Sequence, residues 1–138
     1  MEIMPTMIFP GNYESLEKIA EFVTAEARAS GLNRTQVFAV ETAVDEACSN
    51  IIEHAYGGEG IGDIHCTTIS EPERFTIVLE DHGRGFDPAT VPDPDLSAPL
   101  RDRKSHGLGF YMMCQWMDEV RFDFHENRNR LTMVKLKA

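Results

Sequence analysis

Phe75-Thr76-Ile77-Val78-Leu79-Glu80-Asp81-His82-Gly83-Arg84-Gly85-Phe86 is the stretch that decides the fold. Phe75, Ile77 and Leu79 fall on one face at a period of two, which gives a strand over 75–80. Asp81 stands at the strand's end, and Gly83 and Gly85 open the turn behind it. Upstream, Glu71-Pro72-Glu73 folds the chain back onto an earlier strand of about Gly62 to Ser70. Strands that follow each other so closely pair antiparallel.

Working outward, Ile8 and Phe9 end a short apolar run that Pro10-Gly11 closes, an edge strand. Leu16, Ile19, Ala20, Val23 and Ala27 then recur at helical spacing. Gly31 stops that helix and Asn33 can cap the next. Val37, Val40, Val44, Ala47, Cys48 and Ile51 are the apolar stripe of the second helix, which Gly57-Gly58-Glu59-Gly60 ends. Downstream, Asp87 to His106 holds Pro88, Pro92, Pro94 and Pro99 and no periodicity, which predicts a long functional or disordered loop. Helical spacing resumes with Phe110, Met113, Cys114 and Met117. Val120, Phe122 and Phe124 alternate with Arg121, Asp123 and His125 in a strand with one wet face, and Leu131 to Lys137 is the last strand.

The order is strand, helix, helix, strand, strand, loop, helix, strand, strand. It predicts an α+β fold: a two-layer sandwich, its mixed, mostly antiparallel sheet covered by helices on one face. There is no internal repeat, and residues 1–138 are read as one domain. A net charge of −10 excludes a nucleic-acid surface and disfavours anionic membrane. No apolar run approaches the ~18 residues of a membrane span, and the first ten residues do not read as a signal peptide. Cys48, Cys66 and Cys114 lie far apart without a C-x-x-C pair, which predicts three buried thiols in a reducing cytoplasm.

Three groups of residues carry chemistry. Glu46 and Asn50 share a face of the second helix, with His54 one turn further. A carboxylate there can accept a proton or orient water, and a carboxamide oxygen suits Mg²⁺; a solvated polar face would carry the same residues. Asp81 can accept a hydrogen bond from an exocyclic amine, and Gly83 and Gly85 let a ligand approach the backbone; an ordinary glycine turn would look alike. His106-Gly107-Leu108-Gly109-Phe110 leads into a helix whose free N–H groups suit phosphate.

Taken in order, these elements resemble the signature of the GHKL ATP-binding family, which includes histidine kinases, gyrase B, the large heat-shock chaperone and the MutL repair proteins. The size and the stretches Asn50-Ile51-Ile52-Glu53-His54-Ala55-Tyr56, Val78-Leu79-Glu80-Asp81 and Met117-Asp118-Glu119-Val120 look like its stand-alone anti-sigma-factor serine/threonine kinases. The resemblance implies a Bergerat-type fold, ATP with Mg²⁺, a sigma factor and a STAS-type antagonist as protein partners, and a possible homodimer. It makes Glu46 the general base, Asn50 the Mg²⁺ ligand and Asp81 the adenine reader. Gly83 and Gly85 match the first glycine box, Gly107, Leu108 and Gly109 the second, and Thr132 a position that helps hold adenine. Where some of these kinases carry an arginine before the second box, this chain has Ser105 and His106, with Arg103 and Lys104 earlier. An active kinase, a nucleotide-gated binding module and a severed histidine-kinase domain are the competing readings; Glu46 favours the first, and the absence of an acceptor helix disfavours the third.

Overall fold

The computed structural model describes residues 4–85, 111 and 113–137. Five strands form one sheet: β1 (Thr6–Pro10), β2 (Asp63–Ser70), β3 (Arg74–Asp81), β4 (Glu119–His125) and β5 (Arg128–Leu136). Their order across the sheet is β1-β2-β3-β5-β4. Every pairing among the described strands is antiparallel. β1 lies at the edge, as the closing Pro10 requires.

Alternation assigns the two faces. Phe75, Ile77 and Leu79 of β3 are buried, and the register sets Ile77 against Met133 and Leu79 against Leu131. These side chains join Ile64 and Cys66 of β2 in one core with Ile19, Val23 and Ala27 of helix α1 (Ser15–Ala29) and Val37, Val40, Val44, Ala47 and Cys48 of helix α2 (Arg34–Asn50). The helices therefore lie on one face of the sheet. Burying an aliphatic side chain of this size contributes about 1.5–3 kcal/mol, which is why the apolar stripes of both helices turn inward.

α2 begins at a complete capping box: Gln36 N–H donates to Asn33 Oδ1 and Asn33 N–H donates to Gln36 Oε1, both at 2.8 Å. Gln36 Nε2 also donates to the carbonyls of Leu136 and Lys137, which ties the start of α2 to the end of β5. At its other end α2 passes into a π-helical turn, Ile51–Ala55. Tyr56 N–H there donates to the Ile51 carbonyl at 2.9 Å, one residue beyond the α-helical partner.

Two details differ from the sequence expectations. Met113 and Met117 are buried as the helical spacing required, but Cys114 is exposed, so two of the thiols are buried and not three. Burial pushes the Cys66 thiol up to about 12, which makes it inert. The last strand begins at Arg128, three residues before Leu131, because β4 and β5 are joined by a two-residue hairpin turn. Glu126 and Asn127 hold that turn at φ 53° and 62°, the left-handed conformation of a type I′ hairpin, without glycine. The segment Asp87 to His106 lies outside the described residues.

Candidate functional site

Asp81 reaches the helix-covered face because it continues the inward series Phe75, Ile77, Leu79. It is 3 % exposed, a rare place for a carboxylate. Gly83 N–H and Asn129 Nδ2 both donate to its Oδ1 at 2.8 Å. Among the described residues none donates to Oδ2. Burial raises the carboxyl's proton affinity, and the bonds from Asn129 and Gly83 and the neighbouring His82 pull it partly back. The result is a desolvated acceptor with one oxygen anchored and, among the described residues, one open, suited to a single N–H donor.

The turn after Asp81 is fastened to the end of the π-helix. Arg84 N–H donates to the Ala55 carbonyl at 2.8 Å. A Cβ built on Gly83 would stand 2.4 Å from the Ala55 oxygen. The absent side chain of Gly83 therefore permits close packing of two backbones. Gly85 is different: a Cβ there would meet the Phe124 ring at 3.5 Å, ordinary contact. Tyr56 completes the junction, its hydroxyl donating to the Asp63 carbonyl at 2.5 Å and accepting from His82 N–H at 3.1 Å. A cleft of about 490 Å³ opens beside this junction, lined by Tyr56, Asp63, His65, His82 and Arg84 among others; Asp81 does not line it.

Glu46 and Asn50 lie one turn apart at the C-terminal end of α2, both half-buried. Desolvation, then the charges of Glu53 and Asp45, push the Glu46 carboxyl above the ordinary glutamate value. A base raised toward neutrality is the kind that takes and returns protons. His54 falls within the π-turn, and its side chain is exposed beside Glu53.

Not every expected residue comes to this place. Thr132 pairs with Val78 of β3 and Arg121 of β4, so it lies on the sheet face opposite Asp81, Leu79 and Leu131. The register corrects the expectation that Thr132 reaches the same ligand as Asp81. Gly107, Leu108 and Gly109 lie outside the described residues, as do Arg103, Lys104, Ser105 and His106. Two residues that the sequence reading passed over do belong here. Asn129 is the register partner of Asp81, and Phe124 is the register partner of Asn129. Phe124 is 53 % exposed although it lies on the inner face, its ring against Gly85. The signal for Asn129 was its place two residues before Leu131, on the core-facing phase of β5.

The histidine kinase-like ATPase domain family matches residues 9–135. The chain belongs to that family. Serine-protein kinase RsbW of Bacillus cereus (strain AH187) is 28 % identical over 133 residues, covering 94 % of this chain and 82 % of the relative. The protein of the same name from Bacillus thuringiensis subsp. konkukian (strain 97-27) matches to the same extent. Among solved structures, the RsbU and RsbW domains of a Mycobacterium tuberculosis protein superpose with a TM-score of 0.66 at 13 % identity, over 96 % of this chain and 32 % of that one. The catalytic domain of histidine kinase ThkA superposes at 0.57, with 14 % identity and 98 % of that chain covered. The fold is that of the ATPase catalytic domains of histidine kinases.

The residues of this family member fit the nucleotide that the fold implies. Asp81 Oδ2 is, among the described residues, an open, desolvated acceptor of the sort an exocyclic amine requires. Among the described residues no three or more His, Cys, Asp and Glu side chains gather as a metal cage. Mg²⁺ carried with phosphates needs only one or two protein ligands, and Asn50 offers one.

Proposed function

We propose that this chain is an ATP-dependent serine/threonine protein kinase that phosphorylates a STAS-type anti-sigma antagonist, sequesters a sigma factor and so regulates transcription by partner switching in the cytoplasm. The observation that carries the reading is the Asp81 carboxylate, buried at a sheet end with Oδ2 unbonded among the described residues, its turn fastened to the π-turn that continues the helix bearing Glu46 and Asn50. Family membership and the names of the relatives support it.

The roles follow from the chemistry of each group. Asp81 accepts the exocyclic amine of adenine. Asn50 holds Mg²⁺ through its carboxamide oxygen, and Gly107, Leu108 and Gly109 border the phosphates by the family's pattern. When bound, ATP supplies the γ-phosphoryl group. Glu46 accepts the proton of the acceptor serine hydroxyl as that oxygen forms its bond to phosphorus and ADP departs. Phosphoryl transfer depends chiefly on positioning and charge, so Glu46 contributes at the low end of the ~10²–10⁴-fold typical of a general base. Ser105 and His106, standing where some relatives in function carry an arginine, favour the second reading, in which ATP only gates protein binding.

The test is transfer of labelled phosphate to antagonist proteins encoded nearby. Glu46→Gln should slow transfer while ATP still binds, and Asn50→Ala should weaken both. Because the Glu46 proton affinity is raised, the wild-type rate should fall as pH drops, from a pH above the ordinary glutamate value. A wild-type protein that binds an antagonist and never phosphorylates it leaves the gated binding module standing.

A further inference from the structure

We infer that Asn129 is the positioning residue of the adenine site: its side-chain amide fixes the Asp81 carboxylate so that Oδ2 alone faces the base. The inference rests on the assignment of Asp81 to adenine and adds a residue to it. Asn129 Nδ2 donates to Asp81 Oδ1 at 2.8 Å, to the Arg84 carbonyl at 3.0 Å and to the Gly83 carbonyl at 3.3 Å. One NH₂ group thus binds the carboxylate and the turn behind it together. Leucine is close to asparagine in size and would satisfy packing beside Leu131; the amide is needed only for what it donates.

Asn129 sits where it does for a reason of register. Arg128 and Arg130 on either side point to the other sheet face, where both meet Glu80 at 3.2 and 3.3 Å. The intervening residue must face the core, opposite Asp81. A polar side chain there would ordinarily be expensive unless bonded, and the Asn129 NH₂ group is bonded to three acceptors. With Oδ1 held by two donors, rotation of the carboxylate is blocked and its lone pairs on Oδ2 are aimed at one place. An acceptor fixed in that way takes the 6-amino group of adenine and meets the 6-oxo group of guanine oxygen to oxygen.

A second consequence concerns protons. The donors from Asn129 and Gly83 favour the ionised carboxyl, against the burial that disfavours it. The other groups facing Asp81 among the described residues are His82, next in the chain, and Tyr56 at the end of the π-helix; Phe124 on β4 is neutral. Without Asn129 the carboxyl holds its proton to higher pH, and a protonated Asp81 presents a weaker acceptor to adenine.

The experiment measures equilibrium binding of Mg-ATP and Mg-GTP to the full chain, as a function of pH, for wild type, Asn129→Leu and Asp81→Asn. Asn129→Leu should weaken ATP roughly tenfold or more, reduce the preference for ATP over GTP, and bring the acid loss of ATP binding in at higher pH. A merely structural residue would lower the melting temperature and leave selectivity and pH dependence alone. Should Asn129→Leu fail to fold, Asn129→Ala removes the NH₂ donor without adding a charge and reads the same quantities. Unchanged selectivity and pH dependence in a folded Asn129 variant, with ATP weakened by Asp81→Asn, overturns the positioning role alone. Unchanged ATP affinity in Asp81→Asn overturns the site on which it rests.

Discussion

Replacing Gly83 by alanine separates two explanations of the first glycine box. The new Cβ would lie 2.4 Å from the Ala55 oxygen and 2.5 Å from its carbonyl carbon, both backbone atoms that cannot rotate aside. The π-helix end and the turn after β3 must then part by about 1 Å, from 2.4 Å to the 3.4 Å of ordinary contact. That movement breaks the bond from Arg84 N–H to the Ala55 carbonyl. Overpacking costs about 1–3 kcal/mol and the bond about 1 kcal/mol, together roughly 2–4 kcal/mol. In a domain of this size the melting temperature should fall by about 10 °C. Gly85→Ala meets only the Phe124 ring at 3.5 Å and should leave stability within about 0.5 kcal/mol. Thermal unfolding of both variants without nucleotide, followed by circular dichroism, makes the comparison. If Gly83→Ala melts with Gly85→Ala and only loses ATP, the glycine serves the ligand and the packing argument is refuted.

Nucleotide-free Asp81→Asn should be more stable than wild type at neutral pH. Burial raises the Asp81 value in the folded state, so the favourable contribution is present below 3.8 and is lost as pH rises through the folded value. Asparagine accepts the same two bonds at Oδ1 without that loss, and urea unfolding at acid and neutral pH should show a flatter dependence. At the start of α2, Asn33→Ala should cost about 1 kcal/mol, through the cap bond to Gln36 N–H, and a denaturation midpoint with unchanged ATP affinity would check it.

The sheet and both helices were legible because their apolar periods are clean: Phe75, Ile77 and Leu79 at two, Val37, Val40 and Val44 at three and four. Asn33 was legible as a cap because only a short polar side chain can satisfy the first free N–H groups. The type I′ turn at Glu126-Asn127 was not, since neither residue is glycine, and missing it hid the first three residues of β5. With them went Asn129, whose meaning depends on a register to Asp81 that lies 48 residues away. Thr132 was misplaced for the same reason, because a strand's phase decides which face each residue serves. The π-turn leaves no mark in the sequence: Ile51 and Ile52 read equally well as more α-helix. Glu46 and Asn50 were found by spacing, but the raised proton affinity of Glu46 comes first from burial, which only the fold supplies, and then from the charges of Glu53 and Asp45.

Calorimetric titration of Mg-ATP into wild type and Asp81→Asn tests the central claim most directly. The account predicts one site per chain in the wild type. It predicts an affinity about ten- to a hundredfold lower in Asp81→Asn, the loss of one hydrogen bond to a charged acceptor. Equal ATP affinity in the two proteins, with both folded, would contradict it.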